Sequence, residues 1–260
     1  MAFEDRISGI VAKLNRARQT IAELKAKTEA WERAAVSQIE IKKGFLQSPT
    51  IYSVRARSEE TVPAEFAVVA GEIIHALRSS LDHLVCALAV EAGGEIKRSH
   101  QYPICKSAAE FQKAVQRGLL AGLTDAAIAQ IEGQQPYHSP QPENQAAAII
   151  NELDNRDKHR LLIAVNATAI IPDQIHVHGE GANITGISPP DPISLGPDFQ
   201  EVFNITLAEP CADFRLEFGL HSEVALADVG RLGMNPMVAT IEQAFQAISE
   251  AIAGYRPHFA

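Results

Sequence analysis

The chain is poor in cysteine and in aromatic residues. It has 3 cysteines among 260 residues, at Cys86, Cys105 and Cys211, and aromatic residues make up 6%. The wide cysteine spacing excludes both a disulfide framework and the paired thiols of a zinc ribbon. We therefore expect three buried thiols in a reducing compartment.

Long apolar runs are also missing. No stretch reaches the ~18 uncharged apolar residues that a membrane-spanning helix needs. The N-terminal residues MAFEDRISGIVAKLNR carry early acidic charge and no apolar core of a signal peptide. These features predict a cytoplasmic protein with no membrane partner.

Several catalytic motifs are absent from the sequence. It contains no glycine-rich phosphate loop, no G-x-S-x-G elbow and no H-E-x-x-H segment. Nucleoside triphosphate hydrolysis, acyl transfer on a serine elbow and zincin chemistry are therefore disfavoured.

Positive charge is scarce in the last hundred residues. Residues 161–260 hold 3 basic and 12 acidic side chains, whereas residues 1–60 hold 11 basic and 8 acidic ones. The net charge of the whole chain is −9. Such an acidic surface repels a nucleic-acid backbone, so bulk DNA binding is excluded. A local basic site is confined to the first 160 residues.

The first 34 residues have the pattern of one long helix. Apolar side chains recur at alternating spacings of four and three, from Phe3 through Leu14 to Trp31, which is a heptad seam. Heptad spacing leaves two interpretations open, namely packing inside the chain or a homodimer seam.

The rest of the chain alternates between helical and strand patterns. Strand patterns at 36–43 and 51–58 predict a hairpin, and more strands are predicted at 162–171, 174–179, 201–207 and 213–221. Helices are predicted at 64–92, 107–117, 124–133, 143–162 and 236–254, with an extended proline-rich connection at 134–142. We predict one α+β domain, 1–260, in which a helical bundle carries a small antiparallel sheet joined by the hairpin.

The helix predicted at 64–92 carries an unusual polar cluster. Its segment GEIIHALRSSLDHL holds Glu72, His75, Arg78, Asp82 and His83. His75, Arg78 and Asp82 share one helix face, where Arg78 and Asp82 are placed to pair.

A second cluster lies in NELDNRDKHRLL, residues 151–162. Glu152, Asn155 and His159 share one face, and Asp154 is placed to pair with Lys158. Because buried polar groups must find partners, we predict that the two clusters converge. The alternative is that both are solvated or structural faces.

Two resemblances emerge from these motifs. GEIIHALRSSLDHL, YPI at 102–104, QPY at 135–137 and NRDKHRLL at 155–162 look like a family of bacterial proteins with no assigned activity. RSSLDH, residues 78–83, resembles the Arg-x4–6-His motif of the HEPN superfamily of helical nucleases and nucleotide-binding domains.

The HEPN resemblance implies metal-independent cleavage or binding of RNA by a homodimer. Arg78 would bind the scissile phosphate and His83 would act as general acid or base. Neither a cofactor nor a metal is implied. The residues expected to support them are His75, Asp82, Asp154, Asn155, Asp157, Lys158 and His159.

Two other functions remain open. Glu72-x-x-His75 has the spacing of a di-metal carboxylate bundle, although the motif occurs once, and the pair His176 and His178 could bind a metal on one strand face. The chain could also be a protein-interaction or regulatory module without catalysis.

Overall fold

The structure is a computed structural model that describes residues 3–35, 37–44, 49–159, 162, 164–179, 183–188, 193–211, 213–227 and 235–259. Side chains are described at these positions except at 3–4, 166–176 and 218–222.

Seven α-helices account for most of the regular structure described. They are α1 Phe3–Arg6, α2 Ser8–Ala34, α3 Ala64–Glu91, α4 Ala108–Gln116, α5 Asp125–Gly133, α6 Ala146–Asp157 and α7 Met237–Ala253. Ser107 caps α4 by accepting the Glu110 backbone N–H, and Thr124 caps α5 in the same way. Gly93 follows α3 with a φ of 81°, a conformation that glycine adopts at little cost.

The described strands form antiparallel sheets. They are β1 Gln38–Lys43, β2 Thr50–Arg57, β3 Ala164–His178, β4 Ile184–Ile187, β5 Ile193–Ser194, β6 Gln200–Leu207, β7 Arg215–Leu226 and β8 Asn235–Pro236. The first sheet has the order β1-β2-β6-β4, and the second contains β5, β3 and β7 in that order. The α+β class and the long N-terminal helix are confirmed.

The predicted hairpin joins a distant strand. β1 and β2 pair, and β2 then pairs with β6 with Val54 opposite Phe203. Side chains from β2 and β6 build a core that includes Tyr52, Val54, Phe203 and Ile205. The hairpin prediction is confirmed, whereas the single predicted sheet is two sheets.

The chain divides into two compact units. The helical unit comprises Met1–Lys25, Glu65–Ile163 and Asp228–Ala260, and the sheet unit comprises Ala26–Ala64 and Ala164–Ala227. The single-domain prediction stays a prediction, because it concerns whether the units fold together.

The heptad seam of the N-terminal helix packs inside the chain. Ile7, Ile10, Ala17, Ile21 and Leu24 are all buried within the helical unit. These positions of the seam therefore serve the core of the helical unit.

Several predicted element bounds need correction. The N-terminal helix breaks at Ile7, before Ser8 and Gly9, which are weak helix formers. The connection 134–142 is not extended, since 3-10 turns occupy Pro136–His138 and Pro142–Asn144. Accordingly α6 begins later than predicted and ends at Asp157. The two strands predicted at 162–179 are one strand, β3, with a register irregularity between Ile171 and His176.

α3 is the central helix of the helical unit. Leu77, Leu81, Leu84 and Val85 on it are fully buried. By length and hydropathy alone it could cross a membrane, but 56% of its most apolar window is buried inside the protein. Core helices of soluble proteins share this property.

Candidate functional site

Arg78 is the centre of a buried polar network on α3. The side chain is 5% exposed, and Nη1 donates to Asp82 Oδ1 at 2.5 Å. Nη2 donates to the Tyr102 carbonyl at 3.0 Å, and Nε donates to Asn151 Oδ1 at 3.4 Å. Asp82 Oδ1 also accepts the Tyr102 backbone N–H at 2.8 Å. This network joins α3 to the loop after it and to α6.

A glutamine holds that loop, residues 102–106, which we name the YPICK loop. Gln135 is 2% exposed, and its Nε2 donates to the carbonyls of Pro103 and Ile131 at 2.9 and 3.0 Å. Its Oε1 accepts the Cys105 backbone N–H at 2.9 Å. The loop backbone has no strand or helix partner at these positions, so side chains satisfy its polar groups.

The Asp154 carboxylate connects α6 to α3. The side chain is 2% exposed, and its Oδ1 lies 2.9 Å from His75 Nδ1 while its Oδ2 lies 2.6 Å from Lys158 Nζ. Burial favours the neutral acid and raises the pKa of Asp154, but hydrogen bonds from Lys158 and His75 outweigh it and leave the pKa below its usual value.

Asp157 of α6 lies against Gly71 of α3. A Cβ placed on Gly71 would lie 2.5 Å from Asp157 Oδ1, so glycine permits this contact. Burial raises the pKa of Asp157, the negative charges of Asp154 and Glu72 add to the rise, and His75 opposes it. Two carboxylates on one helix thus have pKa values shifted in opposite directions.

A cleft of about 910 Å³ opens beside this network, and we name it the α6 cleft. One wall is the exposed face of α6, and the other is the YPICK loop with the proline turns. The residues that line it are Ile104, Cys105, Lys106, Pro136, Pro142, Glu143, Ala148, Asn151, Glu152, Asn155, Arg156 and His159. The volume is that of a small-molecule or nucleotide site.

The charged side chains of the α6 cleft differ in how they are held. Arg156 Nη2 donates to Glu152 Oε1 at 2.6 Å, and Glu152 lies one helical turn before Arg156 on α6. This contact fixes the orientation of the guanidinium. Lys106 and His159 are exposed, and neither side chain has a hydrogen-bond or ion-pair partner among the described residues. The cleft therefore offers one arginine whose charge is paired with Glu152, one ammonium without a described partner and an imidazole, beside the amides of Asn151 and Asn155 and the carboxylate of Glu143.

A smaller cleft of about 480 Å³ adjoins the first. It shares Ile104 and Cys105 with the α6 cleft and adds Lys113 and Arg117 from α4 and its C-terminal cap, along with Glu110 and Gln116. Glu110 is exposed, and its Oε2 accepts the Lys106 backbone N–H at 2.8 Å. Basic side chains thus continue along the YPICK loop beyond the α6 cleft.

The predicted convergence of the two polar clusters is confirmed for His75 with Asp154, and Arg78 also donates to Asn151. Glu152, Asn155 and His159, which are predicted to complement the polar groups of α3, share a face as predicted but line the α6 cleft with Arg156 instead. Arg160 lies outside the described residues.

Arg78 and His83 are not brought together. Arg78 is buried, with its guanidinium held by Asp82, Tyr102 and Asn151, whereas His83 is exposed and lines a separate cavity near the N-terminus. Among the residues that the structure describes, no open surface presents both groups to one phosphate.

Sequence reasoning missed the residues that position the YPICK loop. Gln135 and Tyr102 lie in the short QPY and YPI motifs, which resemblance singled out but to which no role was given. Lys106 has no sequence signal beyond its basic charge. Only its place in the lining of the α6 cleft distinguishes it from other exposed lysines.

The described residues give the metal interpretation no geometric support. No group of three or more histidine, cysteine or acidic side chains that could hold a metal ion occurs among them. His178 Nε2 lies 3.8 Å from Glu217 Oε2, and the side chain of His176 is outside the described set.

No protein family, curated protein or solved structure matches this chain. The geometry of the α6 cleft therefore carries the functional argument by itself.

Proposed function

We propose that this protein binds nucleotide phosphates, free or as part of single-stranded RNA, in the α6 cleft, without cleaving them. The observation that carries the proposal is that Arg156 of α6 and Lys106 of the YPICK loop line one cleft of about 910 Å³. Two cations from separate elements suit a phosphate bound between them, and the phosphate would share Arg156 with Glu152.

The other cleft residues suit the remainder of a nucleotide. Asn151 and Asn155 offer amide donors and acceptors for base edges or ribose hydroxyls, while Ile104 and Pro136 offer apolar surface. The adjoining Lys113 and Arg117 extend the basic lining by a second pair of cations, which favours a ligand with more than one phosphate.

Binding without cleavage follows from the surroundings of Arg78. A guanidinium that is buried and held by three protein partners has no free face for a scissile phosphate. In this proposal Arg78 and Asp82 hold the YPICK loop in place. The resemblance of RSSLDH to the HEPN motif then concerns the structure of a helix and not the cleavage reaction.

The test is binding of a fluorescein-labelled, unstructured ten-nucleotide RNA, with unlabelled UMP as competitor. We expect saturable RNA binding, displacement by UMP and no cleavage product on a denaturing gel. Arg156→Gln should weaken binding by about ten-fold, since a hydrogen bond to a charged group is worth roughly 1.5–3 kcal/mol. It should also reduce the slope of log binding constant against log salt concentration by about 0.7, as expected for one lost phosphate contact.

The matched control is Arg16→Gln, which removes an exposed arginine on α2 outside both clefts. It should leave affinity and salt slope within experimental error of the parent. Equal loss in both variants would mean diffuse electrostatic attraction and would reject a site. RNA cleavage that His83→Ala abolishes would replace the binding proposal with the ribonuclease.

A further inference from the structure

A second cavity lies at the N-terminal end of the helical unit and shares no residue with the α6 cleft. Its volume is about 880 Å³, and we name it the N-terminal cavity. Most of its lining is apolar, from α1, the start of α2, the end of α3 and the C-terminal segment. The apolar members are Ile7, Ile10, Ala87, Val90, Ile96 and Phe259.

The apolar lining is open to solvent at one side. Ile96 is 64% exposed and Val90 is 54% exposed, which is unusual for neighbouring aliphatic side chains of this size. A ligand that covered them would gain roughly 25 cal/mol for each Å² of apolar surface removed from water. Without a ligand, this apolar surface of the cavity stays in contact with water.

The charged or titratable groups of the N-terminal cavity other than Cys86 are Asp5, Arg6, His83 and Glu91. Arg6 and Glu91 form an ion pair with each other, so neither offers an uncompensated charge to a ligand, and Asp5 also has an interaction within the protein. His83 is exposed and, among the described residues, its ring makes no hydrogen bond. Its imidazole is therefore an anchor for one hydrogen-bonding group of a ligand.

We propose that the N-terminal cavity binds an uncharged, largely apolar small molecule that carries one hydroxyl or carbonyl group, with His83 as its polar anchor. The concave shape and the volume favour a small molecule over a second copy of the chain, which would need a broad, flat contact. Burial lowers the pKa of His83, Lys13 lowers it further and Asp82 opposes both. A neutral ring at pH 7 both donates and accepts hydrogen bonds.

Cys86 supplies an internal reporter of occupancy. Its thiol lines the N-terminal cavity and is half-buried, whereas Cys105 and Cys211 are buried elsewhere. A molecule that fills the cavity must shield Cys86 from alkylation while leaving the slow reaction of the other two unchanged.

The experiment uses 2-naphthol as the probe and naphthalene as its match without the hydroxyl. We expect calorimetry to detect saturable 2-naphthol binding, weakened about five-fold by His83→Phe, because one neutral hydrogen bond is lost. The dissociation constants of naphthalene for the parent and for His83→Phe should differ by no more than about two-fold. At ten times its dissociation constant, 2-naphthol should slow iodoacetamide modification of Cys86 by about ten-fold, by mass action.

Two filling variants complete the test. Ala87→Trp should abolish binding of both probes, and Val90→Trp, at a more exposed position, serves if the first variant fails to fold. Absence of saturable binding, or an unchanged Cys86 reaction rate at saturating probe, would overturn the proposal. So would a dimer in light scattering that either filling variant dissociates, because a second copy of the chain would then cover the cavity.

Discussion

Arg78 and His83 are five positions apart on α3 and have different surroundings. Arg78 points into the protein, where Asp82, Tyr102 and Asn151 occupy its donors. His83 faces an apolar cavity. Five residues on a helix turn the side-chain direction by about 140°, so one helix cannot aim both at a single point.

This difference predicts opposite responses to alanine. Arg78→Ala should lower the free energy of unfolding by about 3 kcal/mol, because it leaves the partly buried Asp82 carboxylate and the Tyr102 carbonyl without their donor. Arg78→Lys should recover only part of the loss, since one ammonium cannot reach three acceptors. Urea denaturation measures both values.

The matched control is His83→Ala. Its side chain is exposed, so its free energy of unfolding should stay within about 0.5 kcal/mol of the parent. An Arg78→Ala variant as stable as the parent would show that the guanidinium network does not hold the YPICK loop.

The pairing of α3 with α6 depends on carboxylates rather than on apolar contact alone. Asp154 binds His75 across the helix pair, and Asp157 approaches Gly71, where no Cβ intervenes. Because these two carboxylates have pKa values shifted in opposite directions, the helix pair should respond to pH through both.

The sign for each carboxylate follows from proton linkage. The folded pKa of Asp154 lies below its unfolded value of about 3.9, so its contribution to stability is present above pH ~4 and is lost as the pH falls through the folded pKa. The folded pKa of Asp157 is raised, so this group favours folding at acidic pH and opposes it above its folded pKa.

Asn substitutions at the two sites should therefore have different effects on the free energy of unfolding. Asp154→Asn should lower the free energy of unfolding at pH 7 by about 1–3 kcal/mol and flatten the loss of stability below pH 4. Asp157→Asn should leave stability at pH 7 unchanged or higher, and should steepen that acid loss. Urea denaturation from pH 2.5 to 7 measures both, and parallel pH profiles for the two variants would contradict the assignment.

On the scale of the whole molecule, each compact unit is assembled from separated segments. The helical unit uses three and the sheet unit uses two, and the boundary at residues 25 and 26 falls inside α2. An unbroken helix that belongs to both units resists unfolding in one half alone, because helix formation is cooperative.

We therefore expect one cooperative unfolding transition. Trp31, the only tryptophan, lies in the sheet unit, so its fluorescence reports that unit, while circular dichroism at 222 nm reports mainly the helices. The two urea curves should coincide. Two separated midpoints would instead indicate two independently folding domains.

Local patterns in the sequence determined the helices and most strands of this protein. The 3.6-residue period located α3 and α7, and alternation located the β1–β2 hairpin. These signals arise within one element, so a single sequence contains them. The split into two sheets depends on contacts between distant segments, which local patterns do not encode.

The candidate site was likewise only partly predictable from local patterns in the sequence. Spacing alone determined that Glu152, Asn155 and His159 share a face and that two polar clusters need partners. Only the tertiary structure decided that Arg78 is buried and that Lys106 lines the same cleft as α6. Burial of an arginine depends on acceptors supplied by Tyr102 and Asn151, 24 and 73 positions away, and no helical period reports their approach.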